Sequence, residues 1–193
     1  MKLNVRRFVP GDEIPTRGIL LIRHGPRTSP DIPPLSAMLT REGIAECVSL
    51  GTLIEKSPPN AIFSSPVQRC VDTGVRIIEG ANWTLEVENS EMLGHPGPFV
   101  IGKINDEVNK LVAFAQENDD WSFLHKHVAG EEVPGMRNRM VGTNNLVDEL
   151  YPYAEGYVLC ISHDSIIAAI TAALDLNPEP WPEPLEGLVI EKL

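Results

Sequence analysis

Apolar residues run without interruption through Gly18-Ile19-Leu20-Leu21-Ile22 and stop at Arg23, the pattern of a short central strand buried on both faces. After Thr40 the period changes. Ile44, Cys47, Val48, Gly51 and Ile54 fall on one face of a helix that Thr40 caps and the Pro58-Pro59 pair terminates. Ala61-Ile62-Phe63 predicts a second buried strand. Ser65-Pro66 then supplies an N-cap with proline at the first helical position, and Val67, Cys70, Val71, Gly74, Ile77 and Ile78 mark the inward side of the helix that follows. Thr84-Leu85-Glu86-Val87 predicts a third strand, half polar, and Tyr157-Val158-Leu159-Cys160-Ile161 a fourth, fully apolar one. Ile166, Ile167, Ile170, Ala173 and Leu174 form a helical face directly after it, and Leu188-Val189-Ile190 predicts a last strand. Two more helical patterns lie between the third and fourth strands. One runs through Ile104, Val108, Leu111 and Ala115, the other through Met136, Met140, Val147 and Leu150. The polar stretch from Asn118 to Gly135 that joins them predicts loop, and Asn177 to Pro184 predicts an extended connector carrying Trp181.

Strands alternating with helices predict an α/β fold: a three-layer α/β/α sandwich around a mostly parallel sheet, in one domain over residues 1–193. With 42% hydrophobic residues in 193, the chain has ample material for a core. No segment reaches the roughly 18 to 20 consecutive apolar residues that span a bilayer. The first residues, Met1 to Arg7, lead into Gly11-Asp12-Glu13 rather than an apolar signal core, which predicts a cytoplasmic protein without a membrane partner. Cys47, Cys70 and Cys160 lie in apolar periodic runs without close pair spacing, as expected of buried free thiols. A net charge of −11 repels polyanions and argues against nucleic acid as a partner. Against that background, Arg23 and Arg27 flanking His24 are a local exception.

In open parallel sheets, ligands bind beyond the carboxyl ends of the strands, where loops and helix N-termini converge. The first predicted strand ends at Arg23-His24-Gly25-Pro26-Arg27, the second at Ser64-Ser65 with Arg69 one turn into its helix, and the fourth at Ser162-His163-Asp164. One edge of the sheet thus receives two histidines, three arginines and a carboxylate. That set suits a phosphomonoester. Its dianion must be neutralised before a nucleophile approaches phosphorus, and guanidinium groups do this in bidentate fashion. Arg23, Arg27 and Arg69 are the candidate phosphate ligands, with His163 donating a further hydrogen bond. Neutral His24 offers a ring nitrogen for in-line attack, giving a phosphohistidine that water cleaves. The leaving alkoxide needs a proton from a nearby carboxylic acid.

Leu21-Ile22-Arg23-His24-Gly25-Pro26-Arg27-Thr28 resembles the Arg-His-Gly signature of the histidine phosphatase superfamily, which contains the phosphoglycerate mutases, small sugar-phosphate phosphatases and histidine acid phosphatases. Leu39-Thr40-Arg41-Glu42-Gly43 looks like that family's Leu-Thr-x-x-Gly helix start. Ser64-Ser65-Pro66 with Arg69 and Thr73 resembles its Ser-Ser-Pro-x-x-Arg-x-x-x-Thr segment, and Ile161-Ser162-His163-Asp164-Ser165 stands where its second histidine belongs. The four motifs follow the family's order from about residue 18 to residue 174. The resemblance implies a phosphoglycerate mutase-like fold, phosphorylation of His24, and phosphate binding by Arg23, Arg69 and His163, joined by Arg27. For the proton donor it offers two positions. The mutase-like branch places a glutamate after the third strand, where Glu91 stands, and the acid-phosphatase branch places an aspartate after the second histidine, as in His163-Asp164. Asp164 is favoured and Glu91 remains the alternative.

Residues 88–155 are expected to form the wall that sets specificity, with His95 near the substrate. His125 and His127 make a His-x-His pair without the further ligands a stable metal site needs, so no metal and no cofactor are expected. Glu131 and Glu132 are expected in solvent, and Met136 and Met140 in the core. The leading function is a metal-independent phosphomonoesterase acting on a small soluble phosphorylated substrate. The alternatives are a phosphatase of phosphohistidine on a phosphoprotein, a phosphoglycerate-type mutase, and a phosphate-binding module without turnover. Nothing in the sequence speaks to oligomeric state.

Overall fold

The computed structural model describes residues 2–28, 36–102, 105–176 and 181–193. Its sheet has six strands: β1 (Leu3–Phe8), β2 (Gly18–Arg23), β3 (Ala61–Ser64), β4 (Val87–Asn89), β5 (Tyr157–Ser162) and β6 (Gly187–Lys192), in the order β1-β6-β2-β5-β3-β4. β2, β5, β3 and β4 run parallel, while β6 is antiparallel to both β2 and β1. The helices are α1 (Arg41–Ile54), α2 (Gln68–Ala81), α3 (Asp106–Asn118), α4 (Ser122–Ala129), α5 (Arg139–Leu150) and α6 (Asp164–Ala173).

Alternation along the central strands builds the three layers. In β2, Ile19 and Leu21 point into a cluster with Leu146 and Leu150 of α5 and Ile167 and Ile170 of α6. Leu20 and Ile22 point the other way, into a cluster with Cys47 and Leu50 of α1 and Cys70 and Ile77 of α2. Both faces are buried, which is why the central strands read as continuous apolar runs. Thr40 caps α1 as expected, its hydroxyl accepting from the Gly43 amide at 2.9 Å. All three cysteines are buried free thiols.

Several elements differ from the sequence expectations. β1 was not anticipated; Leu3 and Val5 alternate with polar neighbours on an edge strand, and so few alternations carry a weak signal. The third strand lies at Val87–Asn89 rather than at 84–87. α2 starts at Gln68 with Val67 as its N-cap, and the Ser65 hydroxyl, which meets His163, accepts from the Val67 amide at 3.3 Å. The expected loop from Asn118 to Gly135 contains α4, whose eight residues are too few to show a helical period although Phe123, His127 and Val128 are buried. Met136 packs on the core as expected, whereas Met140, in the first turn of α5, is 41% exposed. Ile104 and residues 177–180 of the expected connector lie outside the described residues.

α3 and α4 share a small core of their own, formed by Ala115, Phe123 and Val133. Its base is pinched together by backbone. Val100 and Met136 form an isolated antiparallel bridge, the Ile101 amide donates to Gly135, and the Arg137 guanidinium donates to the carbonyls of Pro98 and Val100. The α3–α4 unit therefore hangs from a clamped base beside the sheet edge at which the parallel strands end. Among the described residues, no helix is long and apolar enough to cross a membrane.

Candidate active site

The parallel strands β2, β3 and β5 all end at one edge, which brings His24, Ser65 and His163 together. The His24 amide donates to the Ser162 carbonyl at 3.0 Å, tying the ends of β2 and β5. The Gly25 amide donates to the Thr73 hydroxyl at 3.0 Å, and that hydroxyl donates to the Arg69 carbonyl at 2.7 Å, tying the same loop to α2. A Cβ at Gly25 would stand 2.6 Å from the Cys47 sulfur, so only glycine lets this loop seat against α1.

His24 is buried, and its Nδ1 lies 2.8 Å from the Gly25 carbonyl oxygen. A carbonyl only accepts, so the proton resides on Nδ1 and the lone pair on Nε2. Arg69 Nε donates to that Nε2 at 2.9 Å. The same guanidinium reaches His163 Nδ1 at 3.2 Å through Nη2, which leaves the proton of His163 on Nε2, donated to the Ser65 hydroxyl at 2.9 Å. The two imidazoles meet edge to face with centroids 5.7 Å apart. Gly94 passes directly over His163 at φ +139°, where a Cβ would lie 2.4 Å from the ring.

Burial, reinforced by the Arg69 and Arg23 charges, lowers the His24 pKa to about 4 against the opposing pull of the Gly25 carbonyl. Burial, followed by Arg69, holds His163 well below the ordinary histidine value. Both rings are therefore neutral near pH 7. Unfolded histidine binds its proton near 6.5, so between that value and about 4 the unfolded chain holds more protons than the folded one. Stability is thus fully present above about pH 6.5 and lost as pH falls toward 4. For His24 the separation corresponds to about 3 kcal/mol, and His163 and the buried His127 add in the same direction. Chemical denaturation at about pH 7.5 and pH 4.5 checks this: the midpoint falls at the lower pH, and by less in His24→Asn. Equal midpoints at the two pH values would contradict it.

Asp164 opens α6, its Oδ1 accepting from the Ser165 amide at 2.8 Å and its Oδ2 paired with Arg23 Nη2 at 3.0 Å. Arg23 Nη1 donates to the Pro182 carbonyl at 2.9 Å, while its buried Nε has no hydrogen-bond partner. A cavity of about 730 Å³ opens over this group, and His24, Arg27, Arg69, His163 and Asp164 line it. Arg23 and Glu91 do not. Arg23 stands behind Asp164, and Glu91 is exposed in the short turn Glu91–Leu93 after β4, its carbonyl accepting from the amides of Gly94 and Gly97. His95, His125 and His127 complete the set, so every histidine of the chain faces one cavity.

His125 and His127 do not converge. His127 Nε2 donates to the Arg137 carbonyl at 2.9 Å and packs on Phe99, whereas His125 lies against Trp181 with centroids 4.7 Å apart. Among the described residues, no three His, Cys, Asp or Glu side chains gather as metal ligands. Burial pushes the Cys70 thiol, 3.7 Å from His163 Nε2, up to about 12, where it carries no nucleophilic charge. Ser65, which holds His163, and Thr73, which holds the Gly25 loop, fall inside the Ser-Ser-Pro segment but carry no sequence signal for these supporting roles. Gly94, and Trp121 and Leu124 on the cavity wall, carry none either.

A family model described as histidine phosphatase superfamily (branch 1) matches residues 19–184. Among curated proteins, none matches the sequence. The fold resembles phosphoglycerate mutase from Bacillus anthracis (TM-score 0.59, 14% identity, 98% of this chain and 89% of that one). It also resembles Bacillus stearothermophilus YhfR (TM-score 0.58, 19% identity, 91% of both chains). A third similar structure is mycobacterial glucosyl-3-phosphoglycerate phosphatase (TM-score 0.55, 22% identity, 84% of this chain and 81% of that one). The expected α/β, phosphoglycerate mutase-like architecture is what these likenesses share.

Proposed function

Because this chain belongs to branch 1 of the histidine phosphatase superfamily, we propose that it is a metal-independent phosphomonoesterase that passes the phosphoryl group through His24. The observation that carries the reading is the state of His24: neutral, its proton fixed on Nδ1 by Gly25, its Nε2 lone pair directed at the Arg69 guanidinium in the cavity floor.

At rest, Arg69 Nε occupies the nitrogen that must attack. A phosphate dianion accepts a charge-assisted hydrogen bond more strongly than a neutral imidazole does, so substrate draws Arg69, with Arg27, onto its equatorial oxygens. That exchange neutralises the phosphoryl group and frees Nε2 in one movement. Arg23, with an unpaired Nε behind Asp164, is a further donor for the same anion. Nε2 then forms the N–P bond as the P–O bond to the leaving group breaks, and Asp164, released from its ion pair as Arg23 turns to the phosphate and protonated from solvent, gives that proton to the departing oxygen. Water attacks phosphorus in the second step, losing its proton to Asp164 and restoring His24. A cavity of about 730 Å³ supports a small-molecule ester, since pockets for such ligands run to roughly 300–1,000 Å³.

Asp164 is the proposed proton donor because it lines the cavity beside His163, whereas Glu91 does not. With an aryl phosphate and excess chelator, Asp164→Asn is expected to lower kcat by roughly 10²–10³-fold while inorganic phosphate still inhibits. Glu91→Gln is expected to stay within about threefold of the parent, as removal of a group that gives no proton in the transition state leaves the barrier in place. The reverse pattern would move the acid to Glu91, and loss of all activity in chelator would overturn the metal-independent mechanism.

A further inference from the structure

The cavity has two ends of unlike chemistry. Both arginines that line it among the described residues, Arg27 and Arg69, stand with His24 at the sheet edge, where their charges act on one another. The wall away from the sheet edge comes from the α3–α4 unit, and Trp181, whose neighbour Pro182 accepts from Arg23 and whose ring meets His125 of α4, stands between that wall and the phosphate end. In that wall Val112, Trp121 and Leu124 pack only in part against the small core of Ala115, Phe123 and Val133, and the rest of their surface lines the cavity. Trp181 is likewise only half-buried and faces His125 with ring planes inclined by 40°. α3 adds two neutral amides to the lining, Asn109 and Gln116.

We infer that the phosphate ester taken by this cavity carries a flat, uncharged apolar group, such as an aryl or other ring alcohol, rather than a second anionic group. The inference rests on the phosphatase reading only for the seat of the phosphate. With the dianion on Arg27 and Arg69, the remainder of the substrate lies toward the tryptophan wall. An apolar ring there removes the exposed surface of Trp121, Leu124 and Trp181 from water, whereas a carboxylate or second phosphate exchanges hydration for aliphatic and indole surface. The amides of Asn109 and Gln116 fit hydroxyl or carbonyl substituents on such a ring.

The test compares 1-naphthyl phosphate with 3-phosphoglycerate. Binding is measured by calorimetry on His24→Asn, which does not depend on turnover, and kcat/KM on the unaltered protein. Naphthyl phosphate is expected to be favoured roughly tenfold or more in both. Trp121→Ala and Trp181→Ala are expected to erase most of that preference while changing the phosphoglycerate values by less than about threefold. Equal or tighter binding of phosphoglycerate overturns the inference, as does a preference that neither tryptophan substitution alters. Should either variant fail to fold, the comparison of the two esters on the other proteins still decides it. Preferential binding of the naphthyl ester without hydrolysis of either compound would uphold the apolar subsite and sink the phosphatase reading. Hydrolysis that favours phosphoglycerate would do the opposite.

Discussion

His24→Ala is expected to lower kcat on any phosphomonoester by roughly 10⁴-fold or more, the loss that follows when a nucleophile acting as part of a unit is removed. The size of the effect comes from what the site cannot substitute. His163 carries its proton on Nε2, given to Ser65, and Gly94 packs against its ring from above, so the ring is held in place and does not swing into the position of His24. Cys70 lies nearby but stays protonated up to about pH 12. The same substitution removes the ring nitrogen that accepts from Arg69 Nε and opens a small void, a destabilisation of about 1–3 kcal/mol that leaves the fold in place. Circular dichroism and kcat measured on the same preparation separate the two consequences. A folded His24→Ala protein with activity within tenfold of the parent would show that this ring is not the nucleophile.

Arg69→Ala is expected to lower kcat/KM by roughly 10³-fold, at the upper end of what one well-placed donor contributes to a developing phosphoryl charge. Arg69 is 6% exposed and its guanidinium touches both histidines, so its loss removes a phosphate ligand and also one of the charges that hold the two rings neutral. Burial is the larger cause of that neutrality and remains. Both rings should therefore still be neutral at pH 7 while gaining protons at a higher pH than in the parent, a change that histidine proton resonances would follow. Arg69→Lys is expected to recover less than about tenfold of the lost activity, because a single ammonium cannot present Nε and Nη2 to two partners at once. Full recovery with lysine would reduce the role of Arg69 to that of a point charge.

Legibility in the sequence tracked burial. β2 and β5, covered on both faces, read as apolar runs, and the ends of those runs fall at His24 and His163. The edge strand β1 and the three-residue β4 bury little and left correspondingly faint periods. α4 was missed for a related reason: one of its three buried positions is a histidine, which reads as polar. At the site, residue types and order were readable, but the division of labour was not. Arg23, adjacent to His24 in sequence, pairs with the cavity-lining Asp164, whereas Arg27, four residues on, lines the cavity itself. Asp164 is favoured over Glu91 on the sequence, and the structure adds that Asp164 lines the cavity while Glu91 is exposed in the turn Glu91–Leu93. The tryptophan wall had no signature because its residues come from α3, α4 and the 181 segment, which only the third dimension brings together.

Rapid acid-free quenching of the protein with a ³²P-labelled aryl phosphate in excess chelator tests the phosphohistidine most directly. A phosphoenzyme is expected that forms within the first turnover, survives alkali, is lost in mild acid and maps to His24. A labelled adduct that is stable in acid, or one that persists in His24→Ala, would contradict it, as would steady phosphate release with no adduct at any time point.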